Sequence, residues 1–267
     1  MAKNIVLAHG VLGFGALPLP IVQYFHGVAS HLRTQNHDHV LEPTVPLIGD
    51  VEARARSLAQ QIGDWPATGD PALRPDPAQP IHIIAHSMGG LDARFAISRL
   101  HLPRIATLVT VGTPHNGSPV ADAIVEGTGP LAGQIDLRLN TLLDGMVGAL
   151  PDLTTAKATK FNLLTPDLQT VRYIEVAGDA GGANANPEAS RELLLFDIAA
   201  QIGGITREIN DGVVTRSSAL RPGRTHLTDW SVDHAGEVGW YTIFGNPNPL
   251  VPRADHLARY DAIVALL

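Results

Sequence analysis

The sequence predicts an α/β protein in which a mostly parallel sheet is flanked by helices. Short apolar runs alternate with helical patterns along the 267 residues, an order typical of parallel strands joined by helical crossovers. Hydrophobic residues make up 45% of the chain and charged residues 17%, a balance typical of a well-buried globular protein. Because this length suffices for one sizeable domain and no linker divides it, we expect a single domain over residues 1–267.

Charge and cysteine content exclude several classes of function. The formal net charge of −7 gives no reason to expect nucleic acid or an anionic membrane as a partner. The chain has no cysteine, which excludes disulfides, thiolate catalysis and thiolate metal sites. The N-terminal apolar run at 5–8 is too short for a signal peptide, and no apolar stretch approaches the ~20 residues that span a bilayer. We expect no transmembrane segment, and either a cytoplasmic protein or the mature form of a secreted one.

Apolar periodicity and capping residues define the individual elements. Four short apolar runs predict strands over residues 4–8, 81–85, 105–111 and 171–177. An apolar stripe from Val51 to Ile62 predicts a helix that Asp50 caps. A second helix is predicted over 88–100, ending before Pro103.

Residues 117–167 interrupt the alternation, because no strand pattern occurs there. Apolar residues recur at spacings of 4, 4, 3, 4 and 4, which predicts an amphipathic helix. These residues are Leu131, Ile135, Leu139, Leu142, Met146 and Leu150. An insertion beyond the carboxyl end of a strand would cover a site on the sheet, so we predict a helical lid or cap over 117–167.

A serine between a predicted strand and a predicted helix is the candidate nucleophile. Ser87 lies in the string A-H-S-M-G at 85–89, where Ala85 and Gly89 are small. A sharp strand–turn–helix connection requires small residues at these two positions because they crowd each other. The turn would raise the serine hydroxyl above the sheet edge and direct the Met88 N–H into the site. A serine that only caps the helix is the alternative interpretation.

A His-Gly dipeptide after the first strand is the candidate oxyanion loop. Gly10 would allow the loop to approach the site closely, and the Val11 N–H would join that of Met88 as a donor. Two preorganised backbone donors stabilise the charge of a tetrahedral intermediate, and losing one typically costs ~10²–10³ in rate. A plain glycine-rich turn is the alternative.

These motifs resemble those of the true lipases of Pseudomonas and Burkholderia. The likeness is carried by L-A-H-G-V-L-G-F at 7–14 and V-G-T-P-H-N-G-S at 111–118; the A-H-S-M-G string also occurs in Bacillus-type lipases. The resemblance implies the α/β-hydrolase fold and a serine carboxylic ester hydrolase that cleaves acylglycerols at an oil–water interface. It favours a secreted protein. It also suggests that Arg54 braces the oxyanion loop, with a solvated helix-face arginine as the alternative.

The acid and base of a triad follow from chain order and from the same resemblance. A serine hydroxyl needs a histidine base, which a carboxylate must orient, and in this fold the order is Ser, Asp, His. The segment N-D-G-V-V at 210–214 resembles the family's acid segment, and 232–238 resembles its histidine loop. Asp211 and His234 are therefore predicted to complete the triad. His256 as the base, and Asp233 or Asp255 as the acid, remain alternatives.

No cofactor is expected. The resembled lipases hold a structural calcium beside the histidine loop, partly through an aspartate two residues after the histidine. Here that residue is Gly236, and Trp240 replaces the expected glutamine. Calcium requires several oxygen ligands, so the sequence does not favour the family site, although Asp197, Asp233 or Glu237 would be substitute ligands.

Other functions use the same residue types. A triad does not specify the acyl group, so an esterase, thioesterase or amidase for small soluble substrates is the main alternative to a lipase. A non-catalytic binding protein of the same fold would be expected to lack a triad residue. None is missing from this sequence.

Overall fold

In the part of the chain that the structure describes, six parallel strands form one sheet in the order β2-β1-β3-β4-β5-β6. The computed structural model describes residues 2–11, 23–36, 38–46, 49–67, 73–127, 148–180, 196–240 and 255–267. The strands are β1 (Asn4–Ala8), β2 (His39–Leu41), β3 (Ile81–His86), β4 (Ile105–Val111), β5 (Arg172–Val176) and β6 (Thr225–His226). The sequence prediction of a mostly parallel sheet is confirmed.

Helices and short turns connect the strands. The α-helices are α1 (Val28–Gln35), α2 (Val51–Asp64), α3 (Met88–Arg99), α4 (Pro119–Ala121), α5 (Thr155–Leu164), α6 (Phe196–Thr206), α7 (Arg216–Ala219) and α8 (Asp255–Val264). A π-helical turn follows α4 at Asp122–Glu126, and 3₁₀ turns lie at Trp65–Ala67, Leu150–Leu153 and Gly236–Val238. Within the described ranges, no helix is both long and apolar enough to cross a membrane.

The central strands are buried on both faces because helices cover both. Leu7 and Ile84 face a cluster that includes residues of α1 and α8. Val6 and Ile83 point the opposite way, into a cluster that includes residues of α2 and α3. Strands covered in this way read as continuous apolar runs rather than as alternating ones, which explains why the sequence identified them.

The predicted elements match the observed ones closely. The four predicted strands are observed with ends within one residue of the prediction. Helix α2 begins at Val51, and the Asp50 side chain caps it by accepting a hydrogen bond from Ala53 N at 2.7 Å. Residues 8, 85 and 110 align across β1, β3 and β4, so the carboxyl ends of these strands lie side by side. Ligands of α/β folds bind at this edge.

The described parts of the predicted insertion at 117–167 contain helices that the sequence did not indicate. Five residues of the predicted amphipathic stripe, from Leu131 to Met146, lie outside the described residues. The sixth, Leu150, begins a 3₁₀ turn, so the prediction that an α-helix continues through Leu150 is wrong. Pro151 explains the difference, because proline fits the first turn of a helix and not its interior. Helix α5 follows, and Asp122 accepts a hydrogen bond from its Thr155 N at 2.8 Å.

Candidate active site

Ser87 occupies a sharp turn between β3 and α3. Its backbone has φ of 55° and ψ of −134°, a conformation that residues with a Cβ rarely adopt. Helix α3 packs closely there: a Cβ on Gly89 would collide with the Ala8 carbonyl oxygen, and one on Gly90 with the Thr113 side chain. Thr113 Oγ1 also donates a hydrogen bond to Ser87 O at 2.8 Å. The Ser87 side chain makes no capping hydrogen bond, so the helix-cap interpretation is wrong.

The loop after β1 lies against Ser87. A Cβ on Gly10 would lie 2.6 Å from Ser87 Cβ and 3.0 Å from the His86 carbonyl oxygen, so only glycine permits this approach. Val11 follows in the loop, and Met88 follows Ser87. The Val11 and Met88 side chains are buried in one apolar cluster with Leu150, among others. The structure thus brings together the two segments that carry the predicted backbone donors.

Arg54 on α2 connects the loop after β1 to helix α3. The side chain is fully buried, and Nη2 donates to His9 O at 2.8 Å. Nε donates to Asp92 Oδ2 on α3 at 2.9 Å, and Nη1 donates to Pro46 O at 2.6 Å. Arg54 therefore braces the candidate oxyanion loop in this structure, and the solvated alternative is wrong.

Arg54→Met is expected to lower the free energy of unfolding by about 3–5 kcal/mol, because it leaves the Asp92 carboxylate buried without its cation. Arg56→Met is the matched control on the same helix. Arg56 is exposed and pairs with Glu52 four residues earlier, so its loss is expected to cost less than about 0.5 kcal/mol. Urea unfolding monitored by circular dichroism measures both changes, and equal values would contradict this role of Arg54.

His234 is paired with Asp211. His234 Nδ1 lies 2.8 Å from Asp211 Oδ2, and His234 N donates to Asp211 O at 2.9 Å. The other carboxylate oxygen, Asp211 Oδ1, accepts hydrogen bonds from Val213 N at 2.8 Å and Val214 N at 2.7 Å. The buried carboxylate is therefore fixed by backbone amides. Because Nδ1 is engaged by Asp211, Nε2 is the His234 nitrogen left for proton exchange.

The alternative acids and base have different surroundings. His256 is buried, and its Nε2 donates to the His26 carbonyl oxygen at 2.7 Å. Asp233 Oδ1 accepts a hydrogen bond from Gly236 N at 2.7 Å. The side chain of Asp255 lies outside the described residues. Of the predicted residues, His234 and Asp211 are the two that the structure shows joined by a His–Asp hydrogen bond.

Tyr24, His86 and Glu237 form a second connected set that sequence reasoning missed. Tyr24 Oη lies 2.7 Å from His86 Nδ1, and His86 Nε2 lies 2.9 Å from Glu237 Oε2. Glu237 Oε2 is also 3.6 Å from His234 Nδ1. The sequence offered a partial signal, because His86 precedes Ser87 and Glu237 follows His234 by three residues. Tyr24 lies 62 residues before His86 and carries no local signal.

Burial controls the charge of this second set. It lowers the pKa of His86 well below its usual range, and the neighbouring His234 lowers it further. Burial raises the pKa of Glu237 well above its usual range, and the carboxylates of Asp211 and Asp233 add to that shift. Both shifts therefore favour the uncharged form of the group.

The residues at the family's calcium position do not fit calcium. Gly236 has no side chain, and Trp240 donates its indole N–H to Tyr24 O at 2.9 Å. The substitutes Asp233 and Glu237 have carboxylate oxygens hydrogen-bonded to Gly236 N and close to His86 Nε2, respectively. The side chain of Asp197 lies outside the described residues. The cluster of His86, His234 and Glu237 offers two nitrogen ligands, whereas calcium prefers oxygen.

EDTA is therefore expected to leave both the hydrolytic rate and the melting temperature unchanged. The physical reason is that the described groups around the histidine loop supply too few oxygen ligands for calcium. Activity assays and differential scanning fluorimetry with EDTA, then with added calcium, measure this. A loss with EDTA that calcium restores would overturn the expectation.

Known proteins are similar to this chain in sequence and fold. A family model described as a PGAP1-like alpha/beta domain matches residues 72–127, which include β3, Ser87 and β4. Triacylglycerol lipase 2 of Saccharomyces cerevisiae is 32% identical over 225 residues, covering 82% of this chain and 63% of that protein. The Staphylococcus hyicus lipase structure, 19% identical, superposes with a TM-score of 0.66 over 98% of this chain and 94% of that one. That likeness supports the fold alone.

The triacylglycerol lipase of Pseudomonas fragi provides the family assignment. It is 30% identical over 273 residues, and the match covers 88% of this chain and 87% of that protein. The match therefore extends well beyond the short motifs around Ser87. The chain belongs to the triacylglycerol lipase family, a family of carboxylic ester hydrolases with the α/β-hydrolase fold.

Proposed function

We propose that this protein is a serine ester hydrolase with Ser87 as nucleophile, His234 as base and Asp211 as the orienting acid. The hydrogen bond of 2.8 Å between His234 Nδ1 and Asp211 is the observation that carries the proposal. It occurs in a loop cluster that also contains Ser87, because the ring of His86, the residue before Ser87, lies 4.5 Å from the ring of His234. A nucleophile, a base and an orienting group in one cluster fit acyl transfer.

The proposed reaction has two similar halves. Ser87 Oγ attacks the ester carbonyl carbon while His234 accepts its proton, and the backbone N–H groups of Val11 and Met88 stabilise the oxyanion. The carbon–oxygen bond of the ester then breaks, and His234 returns the proton to the departing alcohol. Water repeats the sequence on the acyl-enzyme and releases the carboxylic acid. Asp211 stabilises the imidazolium that forms in each half.

We propose acylglycerols as the substrate class. The segments that carry both oxyanion donors also contribute to one buried apolar cluster, formed by Val11, Met88, Leu91, Ala121 and Leu150 among others. An acyl chain held beside these apolar residues would be removed from water, which contributes about 0.8 kcal/mol per methylene. The relatives from Pseudomonas fragi, Vibrio cholerae and yeast are all named triacylglycerol lipases, which supports the same substrate class. An esterase for small soluble esters, a thioesterase or an amidase is the alternative.

A chain-length series of p-nitrophenyl esters, measured beside emulsified long-chain triglyceride, tests the substrate class. We expect turnover of the emulsified triglyceride and a preference for longer acyl chains over acetate. Hydrolysis of dissolved short esters alone would replace the lipase proposal with the esterase alternative. No hydrolysis of any ester would reject the hydrolase proposal itself.

The sequence pattern of the insertion supports a lid, and we propose that its apolar stripe binds the lipid surface. Leu142 and Met146 lie outside the described residues, so their role rests on the spacing of the stripe. Burying each side chain at an interface contributes about 1.5–3 kcal/mol, so replacing both with Ser is expected to lower turnover of emulsified triglyceride by up to about 10²–10⁴-fold. Turnover of a dissolved short ester serves as the control. Equal losses on both substrates would indicate a static cap.

A further inference from the structure

Tyr24, His86 and Glu237 link three separate parts of the candidate site. His86 adjoins Ser87, Glu237 follows His234 by three residues, and Tyr24 lies against the oxyanion loop, because a Cβ on Gly10 would be 2.7 Å from Tyr24 Oη. The hydrogen bonds of 2.7 Å and 2.9 Å through His86 join all three. One chain of contacts therefore runs from the oxyanion loop to the histidine loop.

The carboxyl group of Glu237 occupies a space that two glycines create. A Cβ on Gly112 would collide with Glu237 Oε2, and one on Gly178 would lie 2.5 Å from Oε1. The backbone of Glu237 is fixed as well, since its carbonyl accepts a hydrogen bond from Tyr260 Oη at 2.9 Å and its N–H donates to Asp233 O at 3.0 Å. Glu237 therefore has one defined position against His86.

Aromatic rings continue the same connection. The ring centroids of His9 and Tyr24 are 5.4 Å apart, and those of Tyr24 and His86 are 5.5 Å apart. The rings of His86 and His234 are 4.5 Å apart with an interplanar angle of 41°. A displacement of His86 would therefore be transmitted by direct contact to His234.

The contacts through Tyr24, His86 and Glu237 connect the oxyanion loop and the histidine loop through groups whose pKa shifts favour the uncharged form. The pKa shifts of His86 and Glu237 favour the uncharged forms of both side chains, and burial raises the pKa of Tyr24 so that its phenol stays protonated. A charged His86 beside His234 would oppose the imidazolium that the proposed reaction forms. An uncharged His86 avoids this repulsion, and Asp211 then compensates the positive charge on His234.

We propose that Glu237 is a positioning residue. Through His86 and Tyr24, it holds the His234 loop and the oxyanion loop in fixed relative positions around Ser87. This role rests on the serine hydrolase function proposed above. It depends on the shape and hydrogen bonding of the Glu237 side chain rather than on a negative charge. A glutamine at position 237 should therefore preserve this role, and an alanine should not.

Steady-state kinetics of Glu237→Ala, Glu237→Gln and Tyr24→Phe on a soluble ester test the proposal. Glu237→Ala is expected to lower kcat by about 10–100-fold with KM nearly unchanged, because displacements of about 1 Å at reacting groups have effects of this size. Glu237→Gln should restore kcat to near the wild-type value. Tyr24→Phe should lower kcat as well. Tyr173→Phe should not lower kcat; Tyr173 lies on β5, and its hydroxyl accepts a hydrogen bond from Leu168 N.

The double variant Tyr24→Phe with Glu237→Ala tests whether Tyr24 and Glu237 act through one another. We expect it to lose no more activity than the worse single variant, since residues that act through one another are not additive. Additive losses would overturn the proposal. So would a Glu237→Gln variant as impaired as Glu237→Ala, because that result would mean that charge is required.

Proton NMR of the His234 ring gives a measurement that does not require activity. We expect the Nδ1–H resonance of His234 to shift or broaden in Glu237→Ala and to remain in place in Glu237→Gln; no change in Glu237→Ala would overturn the proposal. If wild-type protein hydrolyses no ester, the proposed function fails, while the NMR comparison still decides the positioning role. Should Glu237→Ala not fold, Tyr24→Phe provides the same tests, with Tyr173→Phe as control.

Discussion

Ser87→Ala is expected to abolish ester hydrolysis, with kcat falling by on the order of 10⁶, while the fold remains intact. The loss follows because alanine has no oxygen to form the acyl-enzyme. The fold should persist because the Ser87 side chain makes no capping hydrogen bond. The backbone at residue 87 has a positive φ, and alanine adopts that conformation as readily as serine does. The free energy of unfolding should therefore change little.

Covalent labelling by a fluorophosphonate provides the direct measurement. Intact-mass spectrometry should show one adduct on the wild-type chain and none on Ser87→Ala. Ser98→Ala is the matched control, since Ser98 is a buried serine near the end of the same helix and should leave labelling complete. Full labelling of Ser87→Ala would show that another residue is the nucleophile.

The main strands could be predicted because their signals are local. β1, β3 and β4 are almost continuously buried, so each appears as an uninterrupted apolar run. The edge strands β2 and β6 were not assigned. They have three and two residues, and the β6 residues are exposed, so they present no such run. Helix α5 was missed because its only buried residue is Ala158, which leaves little apolar periodicity to detect.

The candidate site was predictable where its residues belong to short motifs. The strand–serine–helix string located Ser87, and the N-D-G segment and the histidine loop located the pair that the structure joins at 2.8 Å. Contacts between distant residues gave no such signal. Arg54 and Asp92 are hydrogen-bonded although they lie 38 residues apart in the sequence, and His86 and Glu237 although they lie 151 apart. Only the folded structure reveals these contacts.

His234→Ala is expected to lower kcat by several orders of magnitude, on the order of 10⁴–10⁶, with a smaller effect on KM. Without an imidazole to accept its proton, the Ser87 hydroxyl is a weak nucleophile at neutral pH. Asp211→Asn should also reduce kcat strongly, because an amide can donate a hydrogen bond to His234 Nδ1 and so stabilise the wrong tautomer.

His256→Ala separates this assignment from the alternative base. His256 donates a hydrogen bond to the His26 carbonyl oxygen and packs against Gly239. The variant should therefore have a lower melting temperature, while kcat of the folded protein should stay near the wild-type value. Measuring kcat on a soluble ester together with thermal unfolding separates these effects. A large fall in kcat for a folded His256→Ala variant, beside a small one for His234→Ala, would transfer the base to His256. It would also leave the Asp211–His234 hydrogen bond without a catalytic role.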